Sequence, residues 1–275
     1  MIYKKIDLSA VTNAETIATL EFYQIPTYPN KSGMSQNKPT ILILPGGAYQ
    51  TCSEREAEPV AAAFLAYGFN CFVLNYKVNA KYPIPHLDVA LAMKYIKEHY
   101  QEYNLLDSRV TVLGFSAGGH LAASYAYLYK ELAKDIEVDP ELLKPFALIL
   151  GYPVISSQKG ITHNTTINII SGGEQDLLDK LSVDKHISSD YPSTYIWATK
   201  DDQMVPYTNS VLLAEALKEK GVKYSLDLYE KGVHGGSVCS YAVYEKEFLK
   251  DNQHILGNST WIKNATMFIY NLINK

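Results

Sequence analysis

Ser116 stands where a strand-like stretch meets a helix-like one. Val110-Thr111-Val112-Leu113 reads as a buried strand, Gly114-Phe115-Ser116-Ala117-Gly118 is G-x-S-x-G, and Leu121-Ala122-Ala123 opens a run of helix formers. Strand, sharp turn and helix are the context of a nucleophile elbow, in which backbone strain holds the serine hydroxyl clear of the sheet. Small residues are needed on either side because strand and helix nearly touch there, and Gly114 and Gly118 supply them. A serine hydroxyl is a weak nucleophile until a base takes its proton, and the base needs an acid to orient it. Asp202 follows the strand-like Tyr195–Ala198 run, and His234 follows Tyr224–Tyr229, flanked by Gly232, Gly235 and Gly236. The order serine, acid, histidine on loops after successive strands makes Ser116, Asp202 and His234 the candidate catalytic set. Asp201 is the rival acid; Asp202 is preferred because it begins the turn Asp202-Gln203-Met204-Val205-Pro206. His86, His99, His120, His163, His186 and His254 fail on position.

Acyl transfer through such a set puts negative charge on the former carbonyl oxygen, which backbone N–H groups must receive. Ala117 N–H, directly after the serine and at the start of its helix, is one candidate donor. Gly47 and Ala48 N–H are the others, in the loop Pro45-Gly46-Gly47-Ala48 that follows the apolar run Thr40–Leu44.

These residues need a scaffold that brings strand ends together. Continuous apolar runs at 40–44, 69–75, 110–113 and 146–150, with strand patterns at 193–198 and 224–229, read as strands of a mostly parallel sheet. Residues 2–8 and 18–25 alternate as edge strands do, bringing the total to about eight. Helical spacing lies between the strands, at 56–67, 87–103, 116–132 and 209–220, with weaker stretches near 174–181, 241–250 and 259–273. Strands alternating with helices predict an α/β fold with helices on both faces of the sheet. Residues 28–38 read as a polar loop. No repeat, low-complexity tract or linker divides the 275 residues, so one domain over 1–275 is expected.

Composition narrows the function classes. A net charge of -4 gives no basic patch for nucleic acid and no polybasic signal for membranes. Only Arg55 and Arg109 are arginine, which disfavours bidentate phosphate clamping. The three cysteines are widely spaced and offer neither a disulfide framework nor a metal cluster, so no metal and no cofactor are expected. The N-terminus lacks the apolar run of a signal peptide and no segment is long enough to span a bilayer, so the expected location is cytoplasmic. A homo-oligomer is compatible with the sequence.

Five stretches together carry a family resemblance: Leu44-Pro45-Gly46-Gly47-Ala48-Tyr49, Asp107-Ser108-Arg109-Val110 leading into Gly114–His120, Gly151-Tyr152-Pro153-Val154, Asp202–Pro206 and Lys231–Gly235. The chain resembles the α/β-hydrolase superfamily, in the bacterial branch of hormone-sensitive-lipase-like esterases, small acetyl esterases and acetyl xylan esterase-like proteins. Pro45, where many relatives carry histidine, is the clearest departure and loosens the assignment to a sub-branch. The resemblance implies an α/β-hydrolase fold and a lid, which here would be a short insertion at 152–192. That segment is polar and offers no amphipathic helix for a lipid surface, so the lid is minimal and short acyl groups are expected. Tyr49, Tyr76 and Tyr152, at the ends of strands, and Met204 are candidates to line the substrate pocket; aromatic rims suit sugars or aromatic esters. The reading is a serine carboxylesterase for small-molecule esters, including acetylated carbohydrates. An arylformamidase or other amidase on the same fold is an alternative. A non-catalytic ligand-binding protein on an esterase fold is a second, of a different class.

Overall fold

The computed structural model describes residues 1–12, 14–26 and 37–274. All eight anticipated strands form: β1 (Ile2–Asp7), β2 (Thr19–Gln24), β3 (Lys38–Leu44), β4 (Asn70–Asn75), β5 (Leu105–Phe115), β6 (Ala147–Gly151), β7 (Ser193–Thr199) and β8 (Tyr224–Tyr229). They make one sheet in the order β1-β2-β4-β3-β5-β6-β7-β8. β1 pairs with β2 and β2 with β4 antiparallel; every other pairing is parallel.

Side chains alternate across the pleat, so each central strand feeds two cores. Leu42, Leu44, Phe72, Leu74, Val112 and Leu148 face one side, where the Ile84–Glu98, Ser116–Asp135 and Thr208–Glu219 helices pack. Ile41, Ile43, Val73, Leu113, Phe115 and Trp197 face the other, under the Glu58–Ala66 and Thr260–Ile273 helices. Burial on both faces is why these strands read as unbroken apolar runs.

Several boundaries differ from those expected. The helix read at 87–103 begins at Ile84, with Pro85 in its first turn, and stops at Glu98 because the chain must turn into β5. The stretch at 241–250 yields a helix only over Lys246–Asp251. Within 152–192 an unanticipated helix spans Asn164–Ser171, followed by Gln175–Lys180. Most of the loop read over 28–38 lies outside the described residues. Among the described residues no helix is long and apolar enough to cross a membrane.

Because β3 to β8 run parallel, their C-terminal ends share one rim of the sheet. The loops after β3, β5, β6, β7 and β8 therefore converge there, as in other open α/β sheets.

Candidate active site

β5 runs extended to Phe115 and the helix starts at once with Ser116, whose φ is +51°. A non-glycine residue at that angle is strained, and the turn allows no slack around it. A Cβ on Gly114 would lie 2.2 Å from the Gly118 carbonyl oxygen, and one on Gly118 would lie 2.1 Å from that of Leu44. Strand and helix touch backbone to backbone, and the serine projects beyond the junction.

The Ser116 hydroxyl lies 2.8 Å from His234 Nε2, and His234 Nδ1 lies 2.7 Å from Asp202 Oδ2. Nδ1–H donating to the carboxylate leaves Nε2 free to accept the serine proton. The other carboxylate oxygen accepts N–H bonds from Met204 (2.8 Å) and Val205 (3.0 Å), which fix the acid's direction. Asp201 is used differently: its Oδ1 accepts the Gly232 N–H at 2.7 Å and ties down the start of the histidine loop.

The glycine loop after β3 turns back beside Ser116. Gly47 has φ +123° and Ala48 +56°, and the Gly47 carbonyl accepts bonds from the N–H groups of Gln50 and Thr51. Among the described residues the N–H groups of Gly47 and Ala48 meet no acceptor in the protein. Ala117 N–H lies in the first helical turn, where backbone donors have no intrahelical partner. Gly47, Ala48, Ser116, His234 and Met204 line one cleft of about 310 Å³. A larger groove of about 660 Å³ shares only Arg55 with it and contains none of these five.

The three candidate pocket tyrosines are a correction. Tyr49 is fully buried, bonded to His120 Nδ1 at 2.9 Å. Tyr76 is buried and donates to the Pro45 carbonyl at 2.7 Å, bracing the glycine loop from behind. Tyr152 is buried, donates to Glu56 Oε1 at 2.7 Å and packs edge-on to His234. Each phenol finds an internal acceptor, so the rings turn inward, away from the cleft. Met204, by contrast, is exposed at the cleft.

The cleft also holds residues that sequence reasoning passed over: Thr51, Ser53, Arg55, Glu56 and His163. Glu56 accepts the Gly46 N–H at 2.7 Å on Oε2. Burial pushes its carboxyl up, against the pull of the Tyr152 and Gly46 hydrogen bonds. His163, from the 152–192 segment, is held by Thr166 at 2.8 Å; burial and the nearby His234 lower its pKa. Its spacing to the other site residues carries no signal, since the segment's path over the rim is set by tertiary packing.

A family model described as BD-FAE matches residues 27–217. The chain is 31% identical over 211 residues to an endo-1,4-beta-xylanase B of Butyrivibrio fibrisolvens, covering 73% of this chain and 33% of that protein. It is 29% identical over 231 residues to an acetylxylan esterase of Xylanibacter ruminicola, covering 81% and 45%. The chain thus spans between a third and a half of the length of these curated relatives. Among solved structures it is similar to an acetyl ester-xyloside bifunctional hydrolase from Caldicellulosiruptor lactoaceticus, with TM-score 0.80, 30% identity, and 98% and 96% of the two chains covered. The carboxylesterase Cest-2923 from Lactobacillus plantarum shares the fold, with TM-score 0.83 at 22% identity and 98% of both chains covered.

Proposed function

Since the chain belongs to the BD-FAE family and has the α/β-hydrolase fold, we propose that it is a serine carboxylesterase acting on short acyl esters, acetylated carbohydrates among them. The observation that carries this reading is the continuous line from Asp202 through His234 to Ser116, set beside Gly47 and Ala48 N–H groups that meet no acceptor among the described residues. Ser116 attacks the ester carbonyl while His234 takes its proton; Asp202 holds the imidazole and favours the imidazolium that forms. The N–H groups of Gly47, Ala48 and Ala117 receive the oxyanion. His234 then protonates the departing alcohol, and water, activated by the same histidine, releases the acid.

Short acyl groups are supported by the cleft's size and by its lining, in which Met204 is the one large apolar side chain among the described residues. The 152–192 segment supplies His163 as a wall, and we read it as a short insertion on a single 1–275 domain. Carbohydrate acetates are supported by the names of the relatives alone.

The test is hydrolysis across an acyl series from acetyl to octanoyl, with formanilide and a dipeptide as amide arms and Ser116→Ala as the control. Acetyl to butyryl esters are expected to be hydrolysed best, and a fluorophosphonate is expected to label Ser116. Highest activity on octanoyl esters would overturn the short-chain reading, and faster cleavage of formanilide would move the protein to the amidases. Undiminished hydrolysis by Ser116→Ala would remove the serine mechanism.

A further inference from the structure

A carboxylate that the hydrolytic cycle does not consume lies in the wall of the cleft. Glu56 ends a short 3-10 turn before the Glu58–Ala66 helix and is only 3% exposed. Both of its oxygens are engaged by donors on other loops: Gly46 N–H on Oε2 and the Tyr152 hydroxyl on Oε1, each at 2.7 Å. The phenol oxygen of Tyr152 in turn accepts the Ser237 N–H at 2.9 Å. The Tyr152 ring meets the His234 ring edge-on, with centroids 5.0 Å apart. One carboxylate therefore joins the loop after β3, which carries the oxyanion donors, to the loop after β6 and to the loop that carries the base.

The joints are tight and strained. A Cβ on Gly46 would sit 2.7 Å from Glu56 Oε2, so the backbone just before Gly47 is pressed against the carboxylate. Tyr152 (φ +36°) and Ser237 (φ +49°) both occupy the left-handed region that non-glycine residues avoid. Such angles persist where surrounding bonds over-determine them. Burial is the largest influence and leaves the carboxyl raised; the two donors and the nearby His234 and Arg55 pull the other way and favour the charged acceptor.

We propose that Glu56 is a positioning residue, whose carboxylate fixes the Gly47 and Ala48 donors through Gly46 and the His234 ring through Tyr152, keeping oxyanion site and base in register about Ser116. This rests on the serine-esterase reading. The proposal separates Glu56 from an ordinary buried acid, whose loss lowers stability and leaves each folded molecule's turnover alone.

The experiment measures kcat and KM on an acetyl ester for Glu56→Gln, Tyr152→Phe and the double variant, with concentrations set by fluorophosphonate titration, so that unfolded molecules drop out. Misplacing reacting groups by a fraction of an ångström to about 1 Å costs up to about 10²-fold in rate. Each single variant is therefore expected to lose about 10- to 100-fold in kcat per titrated site, with KM changed by less than about threefold. Because both residues act through one chain of contacts, the double variant should be little worse than the poorer single one. Unchanged kcat per titrated site with a lowered Tm, a change confined to KM, or fully additive losses would overturn the proposal. Should Glu56→Gln fail to fold, Tyr152→Phe decides alone, since it keeps the Glu56–Gly46 bond and the ring against His234 while removing the hydroxyl that joins Glu56 to Ser237. The serine reading fails separately: it falls if Ser116→Ala retains activity, and it stands, with this proposal overturned, if only the Glu56 and Tyr152 variants turn over normally.

Discussion

Two serines of one helix each lie 2.8 Å from a histidine brought from elsewhere: Ser116 from His234 at the helix start, and Ser124 from His86 two turns later. Their distances are identical and their chemistry is opposite. Ser124 donates its proton to the His120 carbonyl at 2.7 Å, so His86 Nε2 must carry a hydrogen and donate to the Ser124 oxygen. Among the described residues His86 Nδ1 then has no partner, and its imidazole is fully buried, with burial holding its pKa well below the usual histidine value. At Ser116 the acid reverses the assignment: Asp202 claims the Nδ1 hydrogen, Nε2 becomes the acceptor, and the serine proton points at a base. The lesson is that a short serine–histidine contact is not a catalytic contact. What differs is the third group, the strained backbone at which Ser116 opens the helix, and the open cleft beside it.

The sharpest way to break this comparison is to delete each hydroxyl. Ser116→Ala should lower turnover on an acetyl ester by on the order of 10⁶-fold. Ser124→Ala should leave turnover per titrated site unchanged and lower stability by about 1–3 kcal/mol, because it strands the buried His86 N–H. Comparable losses of turnover at the two serines would erase the distinction.

The role of the acid comes next. Asp202→Asn should cost roughly 10⁴-fold in turnover by imposing the wrong tautomer on His234. Asp201→Asn should cost far less, since an amide oxygen can still accept the Gly232 N–H. Steady-state kinetics on both variants checks the ranking, and the reverse order would name Asp201 as the orienting acid.

A smaller effect is expected at the oxyanion loop. A Cβ on Gly47 would collide with the Thr51 carbonyl oxygen at 2.3 Å, so Gly47→Ala must displace the donor. The expected loss is about 2.7–4 kcal/mol of transition-state stabilisation, or 10²–10³-fold in turnover. Gly173, also left-handed but with open space where a Cβ would go, is the control whose alanine variant should keep full turnover.

The buried histidines make the last test, through stability. Burial lowers His120 to about 4. A group held neutral in the fold takes up a proton on unfolding, so its stabilisation is complete above the unfolded value near 6.5 and is lost as pH falls toward 4. For His120 that amounts to about 3 kcal/mol. Glu56 and Asp88, whose carboxyls burial pushes up, work in the opposite sense, so the readout is a difference between variants. Urea unfolding at pH 7, 5.5 and 4 should show a shallower acid loss in His120→Gln than in the unaltered protein. Parallel curves would mean that His120 is not held neutral.

The strands and the Ser116, Asp202, His234 grouping were legible because both depend on local pattern and chain order. Strands buried on both faces must be apolar throughout, and residues placed after parallel strands must meet at one rim. Glu56 was not legible, since a glutamate before a helix ordinarily reads as a solvated charge near the helix N-terminus. Its burial is made by Tyr152, 96 residues further along. The tyrosines failed for the same reason in reverse. Their position at strand ends is local, but the direction of each ring is decided by an acceptor elsewhere in the chain: His120, the Pro45 carbonyl or Glu56.

The placement of β5 carries one further consequence. Residues Thr111–Phe115 are paired with β6 and Thr111–Gly114 with β3, so the segment leading into Ser116 is bonded on both edges. Fraying at β1 or β8, each paired on one side only, leaves it intact. The strand amides leading into the nucleophile are therefore expected to exchange among the slowest of the sheet. The histidine it must meet follows β8, the strand paired on one side only, so activity in denaturant is expected to fail from the base's side before the nucleophile's strand opens.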